Sequence, residues 1–195
     1  MPRSYSIERK TSETEIKITI DIDGSGENKI STGIPFFDHM LALFALHGFF
    51  NLFIDAKGDL EVDSHHTVED VGIVLGTAIN KALGQRKHIR RYGHAVVPMD
   101  EALTEVTVDF SNRPFLVYNL PEASFNDYKF NIHIAKEFFY AFSVNTRINL
   151  HINGIYGENE HHIVESVFKS LGRAVDQATL IDERILSYQS TKGII

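Results

Sequence analysis

The chain has 195 residues, 43% hydrophobic and 23% charged, with a formal net charge of −7 and no cysteine. The charge speaks against broad nucleic-acid binding, and the absence of thiols excludes disulfides, thiolate metal sites and cysteine nucleophiles. No apolar run reaches the ~20 residues of a membrane span, because His39, His47 and Asn51 interrupt the stretch 34–54. The amino terminus, Met1-Pro2-Arg3-Ser4-Tyr5-Ser6, lacks the apolar core of a signal peptide, so a cytoplasmic location is expected.

Residues 15–22 alternate apolar and polar, the pattern of a half-buried strand, and Asp23-Gly24-Ser25-Gly26 turns the chain toward a short strand at 29–31. Helical apolar spacing runs from His39 to His47, followed by a strand at 51–54 and a helix that opens at His65-His66 and continues through 71–79. Strands recur at 94–99, 102–110 and 115–119, with Ser111-Asn112-Arg113-Pro114 as a turn. A helix then starts at Glu137, a strand covers 149–152, and a last helix opens at His161-His162 and runs through 167–175. Each half reads β-β-α-β-α. Two helices cover one face of each sheet, so the expected fold is α/β (α+β), a duplicated half-domain packed as a sandwich with the helices between two sheets. The half-repeats are 1–93 and 94–195, together one compact domain.

The repeat is most explicit at its histidines. His65-His66-Thr67-Val68-Glu69-Asp70 returns 96 residues later as His161-His162-Ile163-Val164-Glu165-Ser166. On a helix the i and i+4 residues share a face, which sets His65 over Glu69 and His161 over Glu165 and turns His66 and His162 aside. Duplicated imidazole–carboxylate pairs point to metal ligation rather than to a solvated helix start. His39 stands 12 residues before Asn51, and Glu137 stands 12 before Asn149, so Glu137 is the counterpart of His39. Two ligand sets are expected: His65, Glu69, His161 and Glu165 for one ion, and His39, His66, Glu137 and His162 for the other. Nitrogen and oxygen donors without sulfur favour manganese or iron over a structural zinc.

His88, His94, His133 and His151 have no chemically sensible repeat partner and read as structural, although His133 lies one turn before Glu137. His47, two turns beyond His39, either lines the same pocket or packs beside it. Lys169, four residues after Glu165, is a salt-bridge partner or an ammonium set near metal and substrate. Arg91, Arg113, Ser190, Thr191 and Lys192 offer guanidinium, hydroxyl and ammonium groups for an anion.

Thr11-Ser12-Glu13-Thr14, Gly33-Ile34-Pro35-Phe36-Phe37-Asp38-His39-Met40, the two His-His segments and the terminal Ser190-Thr191-Lys192-Gly193 together resemble the imidazoleglycerol-phosphate dehydratase family, in order and at compatible spacing from about residue 4 to the end. The resemblance implies a histidine-biosynthesis lyase of the ribosomal protein S5 domain 2-like fold type. It further implies two manganese ions per active site and an octahedral homo-oligomer of 24 subunits with sites between subunits. It places Glu13 at the substrate as the base and makes Arg91, Arg113, Ser190 and Lys192 phosphate contacts, with Glu165 and Lys169 handling protons. On this reading His39, His47, His65, His66, Glu69, His161 and Thr191 also line the substrate. A dinuclear metallohydrolase acting on a phosphorylated small molecule is the rival that uses the same ligands. A ferritin-like storage shell is not, because that fold is a helical bundle with Glu-x-x-His pairs.

Overall fold

The computed structural model describes residues 3–121 and 130–193. In chain order it contains β1 (Ser4–Lys10), β2 (Thr14–Asp21), β3 (Asn28–Ser31), α1 (Pro35–His47), β4 (Asn51–Gly58), α2 (His65–Leu83), β5 (Tyr92–Met99), β6 (Ala102–Asp109), β7 (Phe115–Asn119), α3 (Ile132–Thr146), β8 (Asn149–Tyr156) and α4 (Glu160–Thr179). The first sheet has the order β1-β2-β4-β3 and the second β5-β6-β8-β7. In both, the first three neighbours are antiparallel and the last pair is parallel. The duplicated sandwich expected from the sequence is present. The half-unit is β-β-β-α-β-α, one strand more than β-β-α-β-α: the three leading strands of the second half stand at the positions expected, and in the first half β1 is the strand that apolar patterning misses. No residue of β1 is fully buried, so its alternation is too weak to read.

The central strands form where alternation is strongest. Ile16, Ile18 and Ile20 of β2 are fully buried and pair with Ala56, Ile54 and Leu52 of β4. Val106 and Val108 of β6 face Ile152 and Leu150 of β8 in the same way. Such cross-strand apolar pairs set the register, since a one-residue slip would turn every one of them to solvent.

The helices of the two halves exchange partners in the layer between the sheets. α1 packs on α4 and α2 on α3. Glycines make both crossings close: a Cβ on Gly76 of α2 would lie 2.8 Å from Phe142 O of α3, and one on Gly172 of α4 would lie 2.5 Å from Phe44 O of α1. Gly172 stands 96 residues after Gly76, so the two crossings are counterparts. A buried phenylalanine cluster fills the space around them, with Phe37 stacked on Phe130 at 4.8 Å and Phe138 on Phe168 at 5.4 Å. Among the described residues no helix is long and apolar enough to cross a membrane.

Candidate metal centre

Both His-His turns are held by the same local device. Asp63 Oδ1 accepts from His65 N–H at 2.8 Å, and Asn159 Oδ1, 96 residues on, accepts from His161 N–H at 2.9 Å. An Asp or Asn side chain bonding a backbone N–H two residues on fixes the entry to a helix. The same side-chain bond thus leads into the histidine pair of α2 and of α4.

At the start of α4, three ligand groups converge. His161 Nε2 and His39 Nε2 lie 3.1 and 3.4 Å from Glu165 Oε2, and the three ligand atoms all fall within 4.8 Å of one another. Among the described residues this is the one group of three or more imidazole or carboxylate ligands so close together. Lys169 Nζ stands 2.6 Å from the other carboxylate oxygen, Glu165 Oε1. Burial alone would raise the Glu165 carboxyl, but Lys169, His161 and His39 outweigh it and hold the group below the usual carboxylate range. The result is an ionised carboxylate between two imidazoles, a donor set that fits a divalent cation.

This grouping differs from the one expected. Within a protomer His39 joins His161 and Glu165, not His66, Glu137 and His162, and His65 and Glu69 do not join His161 and Glu165. The reason is the exchange of helix partners, because α1 crosses α4 and delivers His39 to the first turn of that helix. On α2, His65 Nε2 is 3.6 Å from Glu69 Oε2. Glu137 lies half-buried on α3, the helix that packs on α2. His133, one turn before it, is exposed.

The second histidine of each pair has a carboxylate on its Nδ1. His66 Nδ1 is 3.1 Å from Asp59 Oδ2, with Glu13 Oε2 at 3.9 Å, and the Asp59 contact raises the His66 pKa. His162 Nδ1 is 2.6 Å from Glu101 Oε2, which pulls the Glu101 carboxyl down to about 2. A carboxylate on one ring nitrogen fixes the tautomer and aims the other nitrogen outward, as in many histidine metal sites. Asp59 and Glu101 were not singled out from the sequence. The repeat held a signal for Glu101: it immediately precedes β6 as Glu13 immediately precedes β2.

The anion-binding candidates also come together. Arg91, Arg113, Ser190, Thr191 and Lys192 line one open cavity of about 540 Å³ with Ser111 and Gln189. Arg91 is already engaged: its Nε and NH2 donate to Asp109 at 2.6 and 3.1 Å, and its NH1 donates to Gln189 O at 2.7 Å. It therefore pins the segment that carries Ser190 and Lys192. His47 lines a different cavity, with His94, Arg173 and Asp176, and burial together with Lys169 and Arg173 lowers its pKa.

Comparison with known proteins identifies the family. The family model for imidazoleglycerol-phosphate dehydratase matches residues 32–175. The enzyme of that name from Desulfosudis oleivorans is 60% identical over 195 residues, all of both chains, and that from Syntrophobacter fumaroxidans is 55% identical over 193 residues, 99% of this chain and 98% of the other. The crystal structure of the Staphylococcus aureus dehydratase superimposes with a TM-score of 0.82 at 37% identity, covering 92% of this chain and 99% of that one. The Pyrococcus furiosus structure gives 0.81 at 37% identity, covering 97% and 100%. With both sheets, the exchanged helices and the duplicated histidine pairs in place, the chain belongs to the imidazoleglycerol-phosphate dehydratase family, hydro-lyases of histidine biosynthesis.

Proposed function

We propose that the protein catalyses the manganese-dependent dehydration of imidazoleglycerol phosphate to imidazole-acetol phosphate, in the cytoplasm. The observation that carries the reading is the convergence of His39, His161 and Glu165. Applied to that triad, the repeat pairs Glu137 with His65 and Glu69 as a second set of three. His66 and His162, each aimed by a carboxylate on Nδ1, then serve as fourth ligands, one for each set.

Two manganese ions bound in these sets would polarise the substrate imidazole and stabilise the negative charge that develops on it. Glu13 takes the proton from the side-chain carbon. Lys169 supplies the proton with which the hydroxyl leaves as water, and Glu165 holds that ammonium in place. The loss of one proton from carbon and one hydroxyl balances as one water, and both side chains reset by exchange with solvent. Arg113 and Lys192 meet the phosphate with the hydroxyl groups of Ser190 and Thr191, on a segment that Arg91 pins.

A single protomer separates these parts. The anion cavity lies where β5 begins and Glu101 lies where β5 ends, and eight strand residues span roughly 23 Å at about 3.3 Å per residue. The three-carbon chain of the substrate is far too short to bridge that distance. This supports a homo-oligomer, of 24 subunits in our reading, with each site formed between subunits.

Incubating chelator-stripped protein with imidazoleglycerol phosphate, with and without added manganese, tests the proposal. Acetol product only in the presence of the metal is expected. Phosphate release in place of the acetol would favour the metallohydrolase, and full turnover without metal would remove manganese from the reaction.

A further inference from the structure

The hairpin between β1 and β2, which carries Glu13, is tied to the ligand-bearing helix α2 by a buried contact outside the metal and anion sites. Thr11 Oγ1 accepts from Glu13 N–H at 3.1 Å and from Thr14 N–H at 3.0 Å, and Thr11 N–H closes the turn on Thr14 O at 2.9 Å. These bonds leave the turn a single backbone shape. Thr14 then points inward, buried, and its hydroxyl donates to Asp70 Oδ2 at 2.5 Å. Asp70 is itself buried and follows Glu69 directly, one turn beyond His66. Arg9 of β1 brings NH1 to 2.5 Å from the same oxygen, yet that nitrogen has no directed hydrogen bond. Arg9 thus contributes charge, while Thr14 makes the contact that fixes position. A buried carboxylate with a donated hydroxyl is among the stronger hydrogen bonds, because losing the donor leaves the desolvated charge short of a partner.

The second half builds the same tie with different atoms. Ser166, the counterpart of Asp70, is fully buried; its hydroxyl donates to Val97 O at 2.7 Å and lies 2.6 Å from Thr104 Oγ1. The β5–β6 hairpin, which carries Glu101, is thereby fastened to α4. In both halves the fastened hairpin holds a glutamate against the second histidine of its helix.

We propose that Asp70, acting through Thr14, is a positioning residue that sets where the Glu13 carboxylate stands relative to the ligand-bearing face of α2. The inference rests on Glu13 being the base. Catalytic groups have to be held within about 0.5 Å of their productive geometry, and a displacement of ~1 Å costs on the order of a hundredfold in rate.

The test uses the manganese-loaded full-length protein and steady-state kinetics with imidazoleglycerol phosphate. Asp70→Ala leaves the buried NH1 of Arg9 beside a cavity and risks misfolding, so Thr14→Val, which removes only the hydroxyl, is the primary variant. It should lower kcat at least ~10-fold with KM within about twofold and manganese content unchanged, and Thr14→Ser should recover most of the loss. In a Glu13→Gln background, Thr14→Val should cost nothing further, because residues acting as one unit are not additive. Wild-type kcat for Thr14→Val beside an inactive Glu13→Gln overturns the positioning role and leaves the base in place. A further ~10-fold loss in the double variant overturns it too, since Thr14 would then act by another route. Wild-type turnover by Glu13→Gln removes the base itself and the positioning claim with it.

Discussion

Replacing Gly172 by alanine perturbs the crossing that brings His39 to the start of α4. The added Cβ would sit 2.5 Å from Phe44 O and 3.0 Å from Gly48 N, both backbone atoms that cannot swing aside. Ordinary contact begins near 3.4 Å, so α1 and α4 have to part by about 0.9 Å at that point. Overpacking of this kind costs about 1–3 kcal/mol. For a chain of this size each kcal/mol lowers Tm by ~2–4 °C, so a fall of roughly 2–12 °C is expected in a thermal scan of the metal-free protein. The same displacement carries His39 away from Glu165, now 3.4 Å distant, so manganese affinity should fall for the triad and not for the set on α2 and α3. Gly76→Ala, whose Cβ would meet Phe142 O at 2.8 Å, is the mirror experiment. It should cost similar stability while weakening the Glu137, His65 and Glu69 set. An unchanged Tm for Gly172→Ala, or equal loss of both metals in each variant by titration calorimetry, would refute the argument that the helix crossings hold the ligand sets separately.

Arg113→Ala and Lys192→Ala should raise KM and leave kcat and manganese content near wild type, since a phosphate remote from the breaking bonds contributes mostly uniform binding energy; steady-state kinetics with metal analysis checks this. Glu137→Ala should empty one manganese site and spare the His39, His161 and Glu165 site, while Glu137→His restores occupancy, measured by elemental analysis after dialysis. In metal-free protein, Asp59→Asn should lower the His66 pKa. The stabilisation that Asp59 gives is fully present below the unfolded-state value and is lost as pH rises through the raised folded-state value. The variant should therefore be less stable than wild type near pH ~5.5 and equal to it near pH ~8, by denaturant titration. Chelation should yield smaller particles in size-exclusion chromatography, because a site shared between subunits closes only with its ion.

The repeat was legible without coordinates because duplication preserves spacing: the His-His turns recur at one offset, and strands such as β2 and β6 announce themselves by apolar alternation. The candidate ligands were read from the same regularity. Spacing along the chain records which residues are equivalent but not which helix packs on which. The crossing of α1 with α4 therefore decided that His39 meets Glu165, through contacts between glycine and backbone carbonyl that no periodicity encodes. β1 escaped detection because an edge strand with no fully buried residue carries no binary pattern. Asp59 and Asp109 were unreadable for a related reason. An isolated acidic residue in a turn or at a strand end looks like a solvated charge until the fold sets a histidine or an arginine against it. The anion cavity likewise draws on residues 91, 111–113 and 189–192, segments that only chain folding brings together.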